Sequence, residues 1–81
     1  MRWTQGVYAR TKKGGRMTSV NSKKAECFCV MGAIYRVYRD QNISKAADKL
    51  RTVVGTGIIN WNDAPERTFR EVLAAAKKAG I

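Results

Sequence analysis

Apolar positions recur along the chain in more than one rhythm, and the longest uninterrupted stretch lies at residues 25–38. There Cys27, Phe28, Cys29, Val30, Met31, Gly32, Ala33 and Ile34 follow one another without a charge. Cys27, Met31, Ile34 and Tyr38 keep helical spacing, and Phe28 and Tyr35 form a second apolar line. A helix apolar over most of its circumference is buried between other elements. The pattern therefore predicts a central helix over 25–38, with Asn21 or Ser22 as N-cap. Gly32 lowers helix stability relative to alanine, so its presence there implies close approach by another backbone.

A second helical period is carried by Ile43, Ala46, Ala47, Leu50 and Val53 or Val54, with Asn42 or Ser44 to cap its start and Gly55 to end it. A third follows Thr68, which with Glu71 matches the capping box; Phe69, Val72, Leu73 and Ala76 then share a face, and Gly80 closes the helix after Lys77 and Lys78. Between these two helices, residues 58–65 read as a short strand or a buried irregular connection. Ahead of the central stretch, residues 3–10 alternate loosely and residues 17–20 supply a return strand. Gly14-Gly15 sits between them in a turn over 11–16, because glycines accept the positive backbone angles of tight hairpins. Together these elements predict an α+β, mainly α domain over residues 1–81: an N-terminal β-hairpin followed by three helices, the first central and buried.

Composition limits the chemistry. The chain has 81 residues, no histidine, six acids and two cysteines. Without histidine it lacks the commonest general base and the commonest metal ligand. Cys27 and Cys29 offer no zinc set by themselves, and two side chains two apart on a helix are poorly placed to bridge each other. Buried thiols are the simpler reading. The glycines lack the spacing of a phosphate-binding loop. The expectation is a protein that is not an enzyme, with no cofactor and no bound metal. No apolar run reaches the ~20 residues that span a bilayer, and no signal peptide follows Met1, so a cytoplasmic protein without a membrane partner is expected.

Charge changes the picture most. Sixteen Lys and Arg against six Asp and Glu leave +10, and Arg2, Arg10, Lys12, Lys13, Arg16, Lys23 and Lys24 all precede the first acid, Glu26. Such a field concentrates anionic partners, although net charge also serves solubility alone. Interleaving with aromatic residues suits nucleic acid, where cations meet phosphates and rings stack on bases. The candidate contact residues for nucleic acid or an acidic partner are Arg2, Tyr8, Arg10, Lys12, Lys13, Arg16, Lys23, Lys24, Arg36 and Arg39. Trp61 with Asn60, Asn62 and Asp63 is either a recognition spot or a turn whose polar side chains hold its own amides while the indole fills the core; the second is the simpler reading.

The chain also resembles a family of small uncharacterised proteins of bacteria and their phages, through Trp3-x-Gln5-Gly6 with Ala9, Gly14-Gly15, Cys29-x-x-Gly32-Ala33, Trp61-Asn62-Asp63, and Pro65-x-Arg67-Thr68 leading to Val72-Leu73. The resemblance implies no activity. It implies a phage or mobile-element setting in a bacterial host cell, where small accessory proteins work by binding. One such role is inhibition of a host defence protein or nucleoprotein, for example as an anti-CRISPR protein.

Overall fold

A computed structural model describes residues 2–38 and 42–81. It is mainly helical with a small sheet, as the sequence predicts. The elements in order are β1 (Arg2–Trp3), β2 (Ala9–Arg10), β3 (Cys27–Phe28), α1 (Val30–Tyr38), α2 (Ile43–Val54), α3 (Ile58–Asn62) and α4 (Phe69–Ala79).

The first departure lies in the central stretch, whose first half is a strand. β3 occupies the middle of the sheet, parallel to β1 and antiparallel to β2. Its flanks are held on both sides: Arg2 N–H donates to Glu26 O and Thr4 N–H to Phe28 O, while Glu26 N–H donates to Arg10 O and Cys29 N–H to Tyr8 O. A short apolar run fits a buried strand and a buried helix equally, and here pairing on two sides decides for the strand. The predicted helix therefore starts at Val30, and Asn21 and Ser22 lie too far upstream to cap it. Cys27 and Cys29 remain free, buried thiols, as expected, though not on a helix together.

The N-terminal hairpin is likewise redrawn. Residues 3–10 are not one strand, because the chain bends between β1 and β2 around Gly6, whose φ is 84°. The predicted turn at 11–16 does form: Thr11 N–H donates to Arg16 O, Gly15 N–H donates to Lys12 O, and the return is a single bridge between Arg10 and Met17. Trp3 pairs instead across to Phe28.

Ile34, Leu50, Ile58 and Val72 lie in one core, where α1 packs against β3, α2 and α3, and α2 against α4. Helix α2 keeps its predicted face, with Ala46, Ala47 and Leu50 buried and Gly55 ending it in the left-handed region. Asn42 stands at its N-cap with φ 62°, but its side chain makes no capping bond. Residues 58–62 form a short helix rather than the expected strand or irregular connection. Helix α4 carries the predicted capping box and its Gly80 end. Its inward face is rotated from the prediction: Val72 and Ala75 are buried, whereas Leu73 is 55% exposed. Ala75 lies in the same buried cluster as Ala46 and Ala47 of α2, the helix against which α4 packs. Glu71 is held below the usual carboxylate range by the Thr68 backbone N–H that it accepts.

Candidate nucleic-acid interface

The surface cations are positioned by contacts that begin in the interior. Asn62 is 0% exposed. Its Oδ1 accepts the indole N–H of Trp3 at 2.7 Å and the N–H of Val30 at 3.0 Å, and its Nδ2 donates to Thr4 O at 3.1 Å. Gln5 Nε2 donates to the carbonyls of Asn62 and Ala64, and Gly6 N–H donates to Asp63 Oδ1. The segment 3–6 is thereby clipped to the end of α3. Trp3 also stacks on Phe69 at 6.2 Å, which accounts for part of that ring, 41% exposed. Asn62 and Asp63 thus tie the end of α3 to segment 3–6 across the molecule, in addition to the bond between their own side chains. Trp61 is half-buried, with the Arg67 guanidinium 4.3 Å from its ring centre.

The ten candidate contact residues separate into groups. Lys12, Lys13 and Arg16 are exposed on the 11–16 turn. Arg10 is not a free cation: its guanidinium donates to Thr4 Oγ1, Gln5 O and Gly15 O, so it braces that turn from beneath. Lys23 and Lys24 are exposed on a second loop, which is tied by Ser22 N–H to Ser19 O and Ala25 N–H to Ser22 O. Arg36 holds that loop, donating to Val20 O at 2.7 Å and Ser22 O at 3.0 Å with its guanidinium over the Phe28 ring. Arg2 shares a shallow cavity with Arg36 and Glu26. Arg39 lies outside the described residues. Among the described residues the ion pairs are Arg51–Asp48 and Arg67–Glu71, so the lysines of both loops have no acidic partner there.

Tyr8 is 45% exposed and meets Tyr35 edge-on at 5.5 Å. It lines an open groove of about 300 Å³ with Gly6, Val7, Met17, Cys29, Ile59 and Asp63. Of these only Tyr8 is among the contact residues expected from the sequence. Met17 and Ile59 are 71% and 44% exposed. No periodic signal identifies them, because the groove is assembled from four separate segments.

Cys29 closes the inner end of this groove at 3% exposure. Its sulfur accepts the Gly32 N–H, one of the orphan donors of the first turn of α1. Burial pushes the thiol above its ordinary value of 9.0. Both thiols are expected to resist labelling at neutral pH in the folded protein and to react fully in denaturant, as read by a thiol-titration time course. Because a raised folded value favours the protonated form, stability from Cys29 is complete below about pH 9 and is lost as pH rises through the folded value, which urea midpoints across that window would register. Rapid labelling of the native protein would reverse this reading. Among the described residues no group of acids and cysteines is clustered to hold a metal, and no helix is long and apolar enough to cross a membrane.

Set against known proteins, the chain matches along residues 1–80 the profile of DUF6197, a family of unknown function, and it belongs to that family. No curated protein and no solved structure matches it.

Proposed function

We propose that this protein is a small, non-catalytic accessory protein that binds nucleic acid, gripping the phosphate backbone with the cations of two braced loops. The observation that carries this reading is the division of labour among the basic residues. Arg10 and Arg36 turn inward and hold main-chain carbonyls of two loops, while Lys12, Lys13, Arg16, Lys23 and Lys24 stand exposed on those loops and form no ion pair among the described residues. Braced loops lose less conformational freedom on binding, so more of the phosphate attraction appears as affinity. The proposed setting is the cytoplasm of a bacterial host cell, with the protein carried by a phage or mobile element.

The test is a fluorescence-anisotropy titration against duplex and single-stranded oligonucleotides over a range of salt. Replacing Lys12, Lys13 and Arg16 together by glutamine should reduce the steepness of log K against log salt by about 2–3, since each lost phosphate contact removes about 0.7–0.9. Absence of binding at low salt would overturn the proposal.

A second reading rests on Phe69 and Leu73, which lie one turn apart on the outer side of α4 and are 41% and 55% exposed. Such a face suits contact with a protein, including a host defence complex that the chain inhibits by direct binding. Capture of a bacterial protein that survives nuclease treatment and is lost in Leu73→Glu would favour it over nucleic-acid binding.

A further inference from the structure

The groove beside Tyr8 has a lining that discriminates among occupants. Its walls are apolar, from Val7, Tyr8, Met17 and Ile59, and its one charged group among the described residues is the Asp63 carboxylate. Asp63 Oδ1 is already held by Gly6 N–H and Asn62 Nδ2, and its other oxygen makes no hydrogen bond among the described residues. A phosphate or an acidic side chain is repelled from such a groove. A flat group with apolar faces and N–H donors on its edge fits both the walls and the free oxygen. Met17 follows Arg16 directly, and Arg10 lies opposite Met17 across a bridge, so the groove opens at the foot of the turn that carries Lys12 and Lys13.

We propose that this groove takes an unpaired nucleobase of a single-stranded nucleic acid, stacked against Tyr8, while the adjoining phosphates lie outside on the lysines of the turn. The inference deepens the nucleic-acid reading and rests on it. It assigns the anionic and uncharged parts of one ligand to neighbouring surfaces of matching character. A base within a duplex is stacked and paired and cannot enter, so the groove confers a preference for single strands. The volume of about 300 Å³ is at the small end of ligand pockets, which suits one base rather than several.

The experiment compares a short oligothymidylate, its duplex with oligoadenylate, and the same sugar-phosphate backbone carrying abasic sites, each titrated into the intact protein. The oligothymidylate should bind more tightly than either competitor, by about 5- to 150-fold over the abasic strand, the range for one base stacked on an aromatic side chain. Tyr8→Leu should remove that advantage and leave the salt dependence unchanged, whereas the lysine-turn replacement lowers the salt dependence and keeps the advantage. Met17→Ala, at a site 71% exposed and so neutral for folding, gives an independent reading on another lining residue and should weaken the oligothymidylate alone. Equal affinity for the base-bearing and abasic strands, or an unaltered advantage in both variants, overturns the groove while the phosphate grip stands. No binding to any of the three strands overturns the phosphate grip and the groove together.

Discussion

Gly32→Leu is expected to leave no folded protein, and Gly32→Ala to cost about 3 kcal/mol or more. A Cβ at this position would overlap the carbonyl oxygen of Tyr8 and come within 2.8 Å of its carbonyl carbon, both of them backbone. That same oxygen accepts the N–H of Cys29, so Tyr8 cannot retreat without breaking the hydrogen bond between the residue before β2 and the residue before α1. Two effects compete. Alanine improves helix propensity by about 1 kcal/mol over glycine, while overpacking costs about 1–3 kcal/mol where side chains can yield and more where they cannot. The steric effect wins because the obstacle is main chain. For a domain of this size the total stability is roughly 4–12 kcal/mol, so even the alanine variant should show a clearly lowered urea midpoint by circular dichroism. An unchanged midpoint would mean that α1 and the Tyr8 backbone do not approach as described.

Asn62→Ala is expected to cost about 3–5 kcal/mol, an unusually large effect for a residue that contributes no apolar packing. The side chain is fully buried, and its removal leaves the Trp3 indole N–H, the Val30 N–H and the Thr4 carbonyl without their partner. Each buried polar group left unpaired costs about 1–3 kcal/mol, reduced where water enters the space vacated. The Val30 bond has a particular consequence: it satisfies an orphan donor at the start of α1 from a residue on a different helix. The variant should therefore lower the urea midpoint with little change in slope and quench or shift the fluorescence of Trp3, whose indole loses its acceptor. A loss below about 1 kcal/mol would show that the clip is not what holds segment 3–6 to α3.

The two predictions show how unevenly the molecule is legible in its sequence. Gly32 is directly legible: a glycine inside an apolar helix has an energetic cost, and close backbone approach explains it. The capping box at Thr68 and Glu71 and the Gly55 and Gly80 ends were equally plain, since each depends on residues within one turn of one another. Asn62 was visible only as one polar residue among several. Its partners lie 59, 32 and 58 residues away, at separations no local pattern reports. The basic residues were legible as charges and not as roles: Arg10 and Arg36 resemble Lys12 and Lys23 in sequence, yet they are spent on internal carbonyls.

What the sequence determined by itself is the set of features fixed by neighbours along the chain: the periods of α2 and α4, their caps and stops, the turn at 11–16, the need for a close approach at Gly32, and a cationic N-terminal third. Tertiary structure alone decided that Cys27–Phe28 is a central strand, that Trp3 pairs with it in parallel, that residues 58–62 coil into a helix, which face of α4 turns inward, and where the groove beside Tyr8 opens. The division has one physical cause. Capping, periodicity and turn formation are energies of contact within a few residues, whereas strand pairing and buried polar partnership are settled between segments that meet only once the chain has folded.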